Sequence, residues 1–85
     1  MLNAPTRSKQ VNDATAHALA AKYPHTDARY HAFYDGRGAA GWLVDVGGER
    51  PANPFTAPEL RADWQRGFRQ VMAEERLNNC TEWND

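Results

Sequence analysis

Several groups of residues in this 85-residue chain have types and spacings that invite chemistry. The stretch Asp35-Gly36-Arg37-Gly38-Ala39-Ala40-Gly41 contains G-x-G-x-x-G, the glycine pattern that lets a backbone wrap a dinucleotide pyrophosphate. His17, His25 and His31 are metal-ligand types, and Asp27 stands four residues before His31. Cys80 is the one thiol, the residue type of a nucleophile or redox centre. Arg61, Gln65 and Arg69 recur at intervals of four, with Arg66 beside them and Arg76 further on. On a helix they would line one side and meet phosphates. Tyr30, Phe33 and Tyr34 are neighbouring aromatics on which nucleobases could stack.

Each chemistry needs elements to position it, and most fail that test. A dinucleotide loop must follow a buried strand, open a helix and precede an acidic residue by roughly 20 positions within a βαβ unit. Here the residues before it, Ala28 to Asp35, are amphipathic and polar-rich, and no second parallel strand follows. We therefore expect no nucleotide cofactor. Ala32, Gly36 and Ala40 lie four apart and make a ridge of small residues that lets another helix come close. The histidines are eight and six apart, which is not ligand spacing on a helix, so no metal is expected. A pair near a helix N-terminus explains Asp27 and His31 more simply. Cys80 has no basic neighbour to lower its pKa, and we expect no catalytic residue and no enzyme activity. For the arginines, an exposed face of mixed charge diluted by Asp63, Glu74 and Glu75 is the commoner arrangement, with an RNA contact as the alternative.

The composition suits one small soluble domain. Apolar residues are 41% and charged residues 25%, enough for a modest core and a wet surface. The net charge of −1 gives no global basic field, so any nucleic-acid role needs a local patch. A single cysteine forms no internal disulfide and suits a reducing compartment. The N-terminus carries no signal-peptide core and no run reaches transmembrane length. These features lead us to expect a cytoplasmic, bacterial or phage-borne protein that needs no membrane.

The elements read as all-α. Residues 1–7 are expected to be a flexible N-terminus, residues 8–77 a single helical domain, and residues 78–85 a polar tail. A first helix is expected from about Ser8 to Lys22 and must stop at Tyr23-Pro24, because a residue before proline is pushed out of the α region. A second is expected to start at an N-cap on Thr26 with Asp27 in its first turn, and to stop between Gly41 and Gly47. Trp42–Val46 is the one stretch that also reads as a strand. A stiff linker with Pro51 and Pro54 follows. Thr56-Ala57-Pro58-Glu59 reads as a capping box opening a third helix that ends near Leu77. Leu60, Trp64, Phe68 or Gly67, Val71 and Met72 repeat on it with a period of about 3.6. Small residues on helix two then face Trp64, Gly67 and Phe68 in an antiparallel helical hairpin, with Asn53-Pro54-Phe55 at its bend.

An aromatic followed by Asp35-Gly36-Arg37-Gly38-Ala39-Ala40, then Asn53-Pro54-Phe55, then Trp64-x-x-Gly67-Phe68 resembles the ribosome modulation factor family. The match covers about residues 30–72. The resemblance implies an all-α helical hairpin, here with an extra N-terminal helix. Gly36, Ala39, Ala40, Asn53, Pro54, Phe55, Trp64, Gly67 and Phe68 would be its structural positions. It also implies non-catalytic binding to the translation apparatus, with the ribosome or ribosomal RNA as partner. Ribosome-binding members of that family are strongly basic and this chain is not. Arg61, Gln65, Arg66 and Arg69, with Tyr30 and Tyr34, are the candidate contact residues. The alternative is a small protein–protein interaction module, phage-encoded, that blocks or recruits a host protein.

Overall fold

The structure, a computed structural model, describes residues 11–83, with side chains through Arg76. The flexible segment expected over residues 1–7 lies outside the described residues. Those described form α1 (Asp13–Lys22), α2 (Ala28–Val46) and α3 (Pro58–Trp83), with no strand among them. Trp42–Val46 is the last stretch of α2, which corrects the strand alternative. None of these helices is long and apolar enough to cross a membrane.

The helix ends follow from local hydrogen bonding, not always at the expected residue. Asn12 caps α1, its Oδ1 accepting the Thr15 amide at 3.0 Å, so the helix begins at Asp13 and not at Ser8. Asp27, not Thr26, caps α2 by accepting the Tyr30 amide at 2.7 Å. Thr26 is occupied one turn back, where its hydroxyl and its amide donate to the Tyr23 carbonyl. The end of α2 is set by Gly47, whose φ of +80° is natural only for glycine. Thr56 does not cap α3 either. The helix begins at Pro58, and the amides of Thr56 and Ala57 donate to the Asp13 carboxylate of α1, at 2.8 and 2.9 Å. One acid forty-odd residues away in sequence does what the local capping box was expected to do. At its other end α3 continues to Trp83, past the expected stop near Leu77.

The core lies where α2 meets α3. Trp64 is 1% exposed and Phe55 fully covered, and Phe68 stacks on Trp64 with ring centroids 5.3 Å apart. Ala16, Ala32, Ala39, Ala40 and Leu60 complete it. Burying each phenylalanine contributes roughly 1.5–3 kcal/mol. The two helices touch backbone to backbone. A Cβ placed on Gly36 would stand 2.0 Å from the Trp64 carbonyl oxygen, and one on Gly67 would stand 2.1 Å from that of Phe33. In each case the glycine hydrogen points at the carbonyl of the other helix, the arrangement of a Cα–H···O contact.

The sense of the pair differs from the expected antiparallel hairpin. Arg29 reaches Asp63 near the starts of both helices, Arg37 further along α2 reaches Gln70 and Glu74 further along α3, and Leu43 near the end of α2 lines one cleft with Phe68 and Met72. The helices therefore cross in the same general direction. The chain returns between them: Arg50 lies over Phe68, Asn53 Nδ2 donates to the Arg61 carbonyl, and Arg61 Nη1 donates to the Phe55 carbonyl. A helix of 19 residues is about 28 Å long, and residues 47–57 extended reach at least that far. The linker is long enough to come back, so no hairpin is imposed. Asn53 also accepts the Phe55 amide at 3.1 Å, which fixes Asn53-Pro54-Phe55 as a corner alongside α3.

The glycines of one motif should respond with opposite signs. Gly36→Ala and Gly67→Ala push a methyl into unyielding backbone, and we expect each to cost about 3 kcal/mol, at the upper end for overpacking. Gly38 and Gly41 face open space. Gly38→Ala and Gly41→Ala should instead gain about 0.5–1 kcal/mol from helix propensity. Thermal melts read both, and a Gly36→Ala protein as stable as the parent would remove the close crossing.

Candidate functional site

The arginines fall into two classes once the helices are packed. Three have carboxylate partners. Arg29 Nε donates to Asp63 Oδ2 at 2.6 Å and Arg66 Nη2 to Asp63 Oδ1 at 3.1 Å. Arg37 pairs with Glu74 and hydrogen-bonds Gln70. Asp63 itself is buried, and the hydrogen bond from Arg29 holds its carboxyl below the usual range, against the desolvation that would raise it. Asp13 is lowered as well, chiefly by the amides of Thr56 and Ala57.

Arg50, Arg69 and Arg76 have no ion pair among the described residues and line one cleft of about 480 Å³. Its apolar lining is Leu43, Phe68, Met72 and Ala73, and no carboxylate of the described residues belongs to it. The fold builds this cleft in three steps. Gly47 and Gly48, both with positive φ, stop α2 and turn the chain back. That return lays Arg50 on Phe68, its guanidinium carbon 4.5 Å from the ring centroid. Arg69 and Arg76 are two turns apart on α3 and share a face. Three like charges beside an apolar surface repel each other and raise the local potential for an anion.

The expected basic stripe is thus split. Arg69 belongs to the cleft. Arg61 is exposed but ties down the linker through the Phe55 carbonyl. Arg66 points to the α2 side, over Phe33 at 4.5 Å and onto Asp63; it stands only about 60° round the helix from Arg69, and these partners draw its side chain away. Gln65 is half-buried. Tyr30 and Tyr34 are 47% and 52% exposed, with ring centroids 4.7 Å apart, and sit with Arg29 and Arg66 around a shallower cleft of about 310 Å³.

The other candidates have structural uses. G-x-G-x-x-G lies inside α2, not in a loop, with Gly36 pressed on Trp64. Asp27 caps α2, and His31 Nε2 lies 2.8 Å from the Thr26 hydroxyl. Among the described residues, no group of three His, Cys, Asp or Glu is placed to hold a metal. Cys80 and Trp83 have side chains outside the described residues. Sequence reasoning missed Arg50, which no local pattern marks, and Asp63, which it took only for a diluting surface charge. It also missed Asp35, whose buried Oδ2 accepts the Trp64 Nε1 proton at 2.9 Å. A tryptophan meant for a core needs such an acceptor, and that was the available signal. No family model, curated protein or solved structure matches the chain.

The two lowered carboxyls give stability a sign with pH. Their folded pKa values lie below the unfolded 3.8, so their contribution is complete above that value and is lost as pH falls through the folded pKa. Asp63→Asn should cost about 1–2 kcal/mol at neutral pH, discounted because its arginines reach solvent. It should also flatten the acid limb of a stability–pH curve below about pH 4. An Asp63→Asn curve parallel to the parent's would show that the carboxylate is not held this way.

Proposed function

We propose that this chain is a non-catalytic RNA-binding protein of the translation apparatus, and that it binds through the Arg50–Arg69–Arg76 cleft. The observation that supports this best is the cleft itself: three cations with no ion pair among the described residues, gathered on one face of a chain whose net charge is −1. Phosphate contact is the common use of such a patch, and its strength comes from released counterions. The likeness of Asn53-Pro54-Phe55 and Trp64-x-x-Gly67-Phe68 to the ribosome modulation factor family supplies ribosomal RNA as the particular partner.

A second reading rests on a separate face. Tyr30 and Tyr34 stand exposed beside Arg29 and Arg66, and tyrosine with arginine is the composition of protein-interface anchors. A host protein would dock there.

Recovery of ribosomes from lysate, with and without nuclease, separates the two, and binding to ribosomal RNA across a salt series locates the contact. We expect the log–log slope to shrink by roughly 0.7–0.9 for each of Arg50→Ala, Arg69→Ala and Arg76→Ala, and much less for Arg66→Ala, which is already paired. No ribosome recovery at low salt would overturn the RNA reading. A nuclease-resistant protein partner lost in Tyr30→Ala/Tyr34→Ala would put the interaction module in its place.

A further inference from the structure

We infer that the arginine cleft takes a single unstacked nucleotide of a single-stranded RNA, its base against the Arg50 guanidinium and the apolar wall beside it, its phosphate on Arg69 and Arg76. This rests on the RNA reading above and adds which form of RNA is bound. Phosphates alone would be served by a flat row of arginines. Here the cations bracket the half-buried Leu43 and Met72, with Ala73 beside them and the buried Phe68 beneath Arg50, and this wall offers a phosphate nothing and a planar base a dry surface. The volume of about 480 Å³ falls in the range of roughly 300–1,000 Å³ of sites that enclose small ligands.

Arg50 carries the more specific sign. Its guanidinium carbon is held 4.5 Å from the centroid of the Phe68 ring, and the residue is exposed. Guanidinium planes are platforms for unstacked bases. Phe68 itself is fixed from behind by Trp64, so the platform is positioned before any ligand arrives. A duplex keeps its bases stacked inside and can present only its backbone to such a concavity. A nucleotide strand instead repeats one anion beside one flat apolar face, which is the pairing this cleft lines up. An acidic peptide matches the charge but brings no flat face for Arg50.

The test uses the full chain and fluorescence anisotropy with three probes: a single-stranded oligoribonucleotide of about ten nucleotides, within usual site sizes, the same strand annealed to its complement, and an abasic strand of equal length. The single strand should bind about tenfold more tightly than the other two, the loss expected when one base stack is removed. Arg50→Lys keeps the charge and removes the plane. It should weaken the single strand severalfold, leave the abasic strand unchanged and keep the salt slope. Circular dichroism confirms that the variant is folded. Equal affinity for all three probes, or full competition by polyglutamate, would overturn the inference while leaving an anion-binding cleft. Binding of none of them would instead bring down the RNA reading itself.

Discussion

The fold depends on one place where two helices meet with no side chain between them. At Gly36 and Gly67 the backbones of α2 and α3 come so close that each glycine hydrogen faces a carbonyl of the other helix. Each glycine costs its helix about 0.5–1 kcal/mol of propensity. The return is that the large Trp64 and Phe68 of α3 can close over the contact against the small Ala32, Ala39 and Ala40 of α2. That closeness also brings the Asp35 carboxylate within 2.9 Å of the Trp64 indole nitrogen. Without the crossing, the indole would be buried with a polar group unanswered.

The same crossing divides the charges. Carboxylates are drawn into structural work. Asp13 receives the amides at the start of α3, and Asp63 binds Arg29 on α2 and Arg66 on its own helix. Asp63 used in this way pairs with two arginines on one flank, and among the described residues no acid lines the cleft on the other. A chain with a net charge of −1 thereby shows one locally cationic surface. Net charge describes the far field, whereas a partner at contact distance meets the cleft, since screening removes most of the rest within about 10 Å.

Glycine serves two purposes here. Gly36 and Gly67 are chosen for the space they leave. Gly47 and Gly48 are chosen for positive φ, which ends α2 and aims the linker back along α3. The returning linker is what joins the fold to the candidate site. It delivers Arg50 to Phe68 at its beginning, anchors on Arg61 through Asn53 and Phe55, and presents the start of α3 to Asp13 at its end.

By itself the sequence determined the helical class, the stop at Tyr23-Pro24, the breaking power of Gly47-Gly48, the apolar period of α3 and the small ridge through Gly36. All of these are local: propensity, proline sterics and side-chain periodicity act within a turn or two. The caps at Thr26 and Thr56 were misread because a capping residue is decided by which acceptor reaches the amides, and Asp27 and the distant Asp13 reach them here. Only the tertiary structure decided the relative direction of α2 and α3, since an eleven-residue linker at 47–57 is long enough for either sense. It alone separated Arg66 from Arg69, by setting Phe33 and Asp63 beside Arg66, and brought Arg50 of the linker to the cleft that Arg76 lines. The cleft belongs to no segment of the chain; its walls come from α2, the linker and α3, and they exist only where those three are packed.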